Sequence, residues 1–191
     1  MNERRVPVQA LVELSLAVLK ACNVDDEQAA ATTAAMMHAS LHGVDSHGIR
    51  LLPFYANCLR TGICKPSPKV AVTYPRRGAA RIDADDGLGH FPTYRAMDEA
   101  CAIARDAGIG MAVVVNSTHF GAAGAYTLAA AEAGFIGFAC CNSGAFVVPF
   151  GARALGATRV HGKLHHRAEG LVVPGRGRPR QVRSAAGAGC R

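Results

Sequence analysis

The chain contains no apolar run approaching the roughly 20 residues that a membrane-crossing helix needs. Nor does a signal-peptide core follow Met1-Asn2-Glu3-Arg4-Arg5, because Glu13 and Lys20 interrupt the apolar residues there. A cytoplasmic protein is expected. The seven cysteines, Cys22, Cys58, Cys64, Cys101, Cys140, Cys141 and Cys190, form no C-x-x-C pair and are odd in number. That argues against a zinc ribbon or a disulfide framework and for reduced, mostly buried thiols. There is no internal repeat, and no G-x-S-x-G elbow to present a serine nucleophile. Gly87-Leu88-Gly89-His90-Phe91-Pro92 lacks the third glycine of a dinucleotide fingerprint, and no suitable acidic residue follows, so a Rossmann fold is rejected. His38 and His42 have metal-capable i,i+4 spacing but no third ligand, and no metal is expected.

Net positive charge is nearly absent from the body of the chain. Residues 161–191 hold seven Lys or Arg against Glu169 alone, so they carry +6 of the net +7 and leave +1 for residues 1–160. The pI of about 9.3 therefore belongs to the tail. That tail has no aromatic residue to stack on bases, which leaves nucleic-acid readout unsupported. It also has few large apolar residues, and it is expected to be disordered because it cannot bury enough surface to offset its ordering entropy.

What the chain does have is a body rich enough in apolar residues, 50% of the whole, to bury a core. Residues 7–21 read as a helix begun by Pro7, with Val8, Leu11, Val12, Leu14, Val18 and Leu19 in a broad stripe. A second helix is expected from Asp25 or Asp26, with Ala30, Ala34, Met37 and Leu41 on one face and Gly43 as its stop. Residues 49–59 predict a third, and 62–68 a linker. The middle then alternates: strand 79–82, a turn-rich loop, helix 93–107, strand 111–115, helix 121–133, strand 135–141. Strand–helix alternation predicts a sheet covered by helices, behind a helical front.

Two short segments carry chemistry. Asp45-Ser46-His47-Gly48 sets an imidazole beside a carboxylate and a hydroxyl, with Arg50 and Tyr55 just beyond. His47 could move a hydroxyl proton, Arg50 could clamp a carboxylate, and Asp45 could fix the imidazole tautomer. On spacing alone the plainer reading is favoured, a helix cap with a surface histidine. Asn116-Ser117-Thr118-His119-Phe120-Gly121 follows the apolar strand 111–115, the place where α/β proteins put their sites, though a cap fits equally well. Asn142-Ser143-Gly144 follows the next strand in the same way.

Taken together, Gly43-Val44-Asp45-Ser46-His47-Gly48, Asp85-Asp86-Gly87-Leu88-Gly89, Asn116 through Gly124 and Cys141-Asn142-Ser143 resemble the malate/L-lactate dehydrogenase family, over about residues 8–156. These are NAD(P)-dependent 2-hydroxyacid oxidoreductases without a Rossmann fold. The resemblance implies a helical domain (1–70), a partial NAD(P)-binding α+β domain (71–158) and a basic tail (159–191). It implies a homodimer with the site between domains and a small 2-hydroxy or 2-keto acid as substrate. His47 and His119 become the candidate proton donor and acceptor, with Asp45 beside them. Ser46, Arg50 and Tyr55 would line the substrate pocket, and Asn142 and Ser143 would meet NAD or NADP. Many relatives place the arginine one position later, where this chain has Leu51. At Gly156-Ala157-Thr158-Arg159-Val160 the family has Gly-Thr-Asn-Pro and an apolar strand. That departure implies a C-terminally truncated or frameshifted member with impaired activity. The alternative is a catalytically silent fragment whose basic tail binds nucleic acid or another partner.

Overall fold

A computed structural model of the chain describes residues 5–143 and 159–166. Residues 1–4, 144–158 and 167–191, and with them Gly144 and most of the basic tail, lie outside the described residues.

Three helices build the front. Helix α1 (Val8–Ala21) starts after Pro7 and buries Ser15 and Leu19. Helix α2 (Asp26–Leu41) is capped by Asp25, whose carboxylate accepts from the Gln28 backbone N–H at 3.0 Å and from the Gln28 side-chain amide at 3.0 Å. Such a cap is worth about 1 kcal/mol. The expected face of α2 is corrected by the structure. Ala30, Ala34 and Leu41 are exposed, and only Met37 of that set is buried. Buried instead are Ala29, Thr32, Thr33, Ala35, Met36 and Ala39. The physical reason is that α2 is packed on two sides. Met36 and Met37 join Leu19, Leu52, Tyr55 and Leu59 in the front core, while Ala35 meets Ala125 and Tyr126 of the back. Two 3-10 turns, Asp45–His47 and Ile49–Leu51, lead into α3 (Leu52–Arg60).

Behind the helices lies a three-stranded sheet in the order β1-β2-β3. Strands β1 (Ala71–Arg76) and β2 (Ala79–Asp83) form an antiparallel hairpin, from Ala71 opposite Asp83 to Arg76 opposite Ala79. Strand β1 was not anticipated. Its side chains are mostly exposed and it carries Pro75, so no buried pattern marks it. Helix α4 (His90–Ala107) then returns the chain to β3 (Met111–Val115), parallel to β2 with Ala79 opposite Met111 and Asp83 opposite Val115. Ala80, Ile82 and Ala96 form the core between sheet and helix, flanked by Val72, Ile103, Ala112 and Val114. Helix α5 (Gly124–Glu132) precedes β4 (Ile136–Ser143).

Two expectations change here. Strand β4 does not join the first sheet but pairs antiparallel with β5 (Arg159–His166), from Ile136 opposite His166 to Ser143 opposite Arg159. Residues 159–166, expected without order, therefore form a strand. Backbone pairing needs no apolar pattern, so composition alone did not reveal it.

Candidate active site

The two motifs come together. The Asp45–His47 turn is held by the His47 N–H donating to the Val44 carbonyl at 2.9 Å, and the Ile49 N–H donates to Ser40 Oγ of α2 at 2.9 Å. Gly48 makes this possible, because a Cβ there would stand 2.3 Å from Ser40 Oγ. The second motif follows β3. Its backbone is tied to the loop before α4: the Gly89 N–H donates to the His119 carbonyl at 3.3 Å, and Thr118 Oγ1 donates to the Gly87 carbonyl at 3.0 Å. Gly121 closes the segment at φ +77°, a left-handed conformation that glycine adopts without strain.

These supports stack the His47 and His119 rings at 5.4 Å between centroids and 24° between planes. Tyr55, from α3, is buried, and its Oη lies 2.8 Å from His119 Nδ1. The Gly121 N–H donates to the same nitrogen at 3.3 Å. Phe54 presents an edge to His119 at 6.5 Å. Ser46 Oγ is 2.8 Å from His47 Nδ1. The neighbour that meets the His47 ring is thus Ser46, while Asp45 is exposed and shows no bond to that ring. Arg50 is exposed on the second 3-10 turn. Asn142 and Ser143 end β4.

Electrostatics favour neutral groups inside this cluster. Burial, and then the neighbouring His47, lowers the pKa of His119 below the ordinary histidine value, even though part of the ring faces solvent. Burial raises the Tyr55 phenol far above its usual range, helped by nearby Cys58 and Cys64, so the hydroxyl keeps its proton.

His90 is a member that sequence reasoning missed. It opens α4, is fully buried, packs edge-on to Tyr55 at 4.8 Å, and places Nδ1 3.3 Å from Thr32 Oγ1. Its Nε2 has no hydrogen-bond partner among the described residues. Burial, with a smaller effect from His119, pulls its pKa down to about 3. The only signal was its position after Gly87-Leu88-Gly89, a segment read as a failed dinucleotide fingerprint. His38 and His42 stack on each other at 4.2 Å, and His42 Nδ1 donates to the His38 carbonyl at 2.7 Å.

A sequence model of the malate/L-lactate dehydrogenase family matches residues 6–157. The chain belongs to the malate/L-lactate dehydrogenase family. It is similar to a malate dehydrogenase of Pyrococcus horikoshii, 38% identical over 161 residues covering 83% of this chain and 45% of that one. It is also similar to the L-sulfolactate dehydrogenase of Methanocaldococcus jannaschii, 34% identical over 141 residues, 74% of this chain and 41% of that one. Among solved structures, the Pyrococcus horikoshii malate dehydrogenase superposes with a TM-score of 0.78 at 36% identity, covering 88% of this chain and 48% of that one. The chain spans about half the length of the curated relatives it matches. In this dehydrogenase-family chain, the match to the family model ends at residue 157. Among the described residues no helix is long and apolar enough to cross a membrane.

Proposed function

We propose that the chain derives from an oxidoreductase that moves hydride between NAD or NADP and C2 of a small 2-hydroxy or 2-keto acid. The observation that carries this reading is the stacked His47–His119 pair, held by Tyr55 and Ser46, in a chain of the malate/L-lactate dehydrogenase family. The names of its relatives, malate, sulfolactate and diketogulonate oxidoreductases, support the same substrate class. The nicotinamide, when bound, supplies the hydride chemistry.

The chain's own residues do the rest. One imidazole takes the hydroxyl proton in oxidation or returns it in reduction, and the second holds the same oxygen. Ser46 orients His47. Arg50, exposed at the rim, clamps the substrate carboxylate through two parallel N–H bonds. Asn142 and Ser143 suit the cofactor by chemistry, as uncharged donors and acceptors matched to a carboxamide. A homodimer in the cytoplasm completes the proposal. The test is nicotinamide absorbance during incubation with malate, lactate, sulfolactate and their keto acids, supplied with NAD(H) and NADP(H) in turn. Substrate-dependent turnover lost in His47→Gln and His119→Gln supports the reading. Turnover that survives both substitutions contradicts it.

A further inference from the structure

The two histidines of the pair differ in a way that assigns them different work. Two groups converge on His119 Nδ1: the Gly121 backbone N–H at 3.3 Å and Tyr55 Oη at 2.8 Å. A backbone N–H can only donate, so Nδ1 must be the accepting, unprotonated nitrogen. Tyr55, facing a nitrogen that has no proton to give, must then donate its own. The ring's proton therefore sits on Nε2. Protonating Nδ1 would break the Gly121 bond, force the Tyr55 hydroxyl to turn from donor to acceptor, and set a cation against the stacked His47 ring, 5.4 Å away.

We propose that Tyr55 is a positioning residue which, together with the Gly121 N–H, locks His119 as a neutral imidazole protonated on Nε2, a fixed hydrogen-bond donor to the substrate oxygen, leaving proton movement to His47. The assignment of work rests on the hydroxy-acid reading above; the tautomer does not. In oxidation, the O–H bond breaks toward His47, the C2–H electron pair leaves with the hydride to the nicotinamide, and C=O forms while His119 Nε2–H stays bonded to that oxygen. His47 suits its part because Ser46 Oγ engages its Nδ1 at 2.8 Å and leaves Nε2 to exchange the proton.

Burial of Tyr55, and the desolvation of a His119 that is itself partly open to solvent, support the lock. The Tyr55 phenol resists ionisation and His119 resists protonation. His90 backs the arrangement from inside, edge-on to the Tyr55 ring, with its Nε2 3.2 Å from where a Cβ of residue 121 would stand. Tyr55 is thus held between two imidazoles and, among the described residues, has His119 Nδ1 as the hydrogen-bond partner of its hydroxyl.

The experiment is a long-range proton–nitrogen correlation spectrum of the full 191-residue chain, labelled with ¹⁵N-histidine, at neutral pH and without ligand. The His119 signals are assigned by their loss in His119→Gln. The expected result is one tautomer, with Nδ1 unprotonated and Nε2 protonated. A proton on Nδ1, or averaging between two tautomers, overturns the lock. In Tyr55→Phe the His119 titration midpoint is expected to rise by about one pH unit, the size of one hydrogen bond to the neutral form. An unchanged midpoint with the other histidine signals in place overturns the role of Tyr55. Adding a keto acid with reduced nicotinamide to the same sample separates the two claims. A locked tautomer that ignores every ligand overturns the hydroxy-acid reading and the division of work but leaves the lock standing.

Discussion

Replacing His90 with glutamine will flatten the acid side of this protein's stability curve. His90 is wholly buried, its Nε2 has no partner among the described residues, and its folded-state pKa is pulled down to about 3. In the unfolded chain the imidazole returns to about 6.5. The folded value is the lower one, so between these pH values the unfolded state binds a proton that the folded state refuses. Stability therefore falls as pH falls, by about 1.4 kcal/mol for each pH unit below the unfolded pKa. At pH 5 that is about 2 kcal/mol lost relative to neutral pH, a substantial share of the roughly 5–15 kcal/mol that holds a domain folded. Glutamine cannot titrate, and its amide can still meet the Thr32 hydroxyl. His119 shifts in the same direction but is present in both proteins, so it cancels in the difference. Asp83 and Asp85 also have lowered values, through Asn116 and Lys65 first, but their contribution is lost only within the carboxylate range. The assay is urea unfolding at pH 7.5, 6 and 5 for wild type and His90→Gln. Parallel curves would refute the reasoning.

Three further predictions concern the scaffold. Asp25→Ala removes both bonds to Gln28 and costs about 1 kcal/mol, read as a lower urea midpoint with unchanged slope. Leu19→Ala opens a hole in the front core, where Leu19 is fully buried, and costs about 2–5 kcal/mol in the same assay. Gly48→Ala drives a methyl group into Ser40 Oγ and costs about 1–3 kcal/mol, and pairing it with Ser40→Ala recovers part of that loss.

Particular residues show how much was legible beforehand. Asp25 could be read as a cap because the signal is local: an acceptor followed by free backbone donors. The strand read at 79–82 was legible from alternation, which buries Ala80 and Ile82, and that at 111–115 from its apolar run, although Met111 and Val113 are exposed. The face of α2 was not, since alanines on every side of that helix give no contrast, and two packing partners bury most of its circumference. Strand β1, exposed and carrying Pro75, left no pattern, and β5 is paired through its backbone.

The candidate site divides the same way. His47 and His119 stood out from their motifs. The bond from Tyr55 to His119 spans 64 residues of sequence, and the contact of His90 with Thr32 spans 58. No local rule connects such positions. A buried histidine without a charge partner looks in sequence like any other helix residue.

The most direct test of the hydroxy-acid reading is single-turnover reduction of a 2-keto acid by reduced nicotinamide, with wild type beside His47→Gln and His119→Gln. The account predicts oxidation of the nucleotide by wild type, slowed about 10²–10⁴-fold when His47 is replaced. A folded wild-type chain that binds neither nucleotide nor keto acid, or a His47→Gln variant that turns over at the wild-type rate, would contradict it.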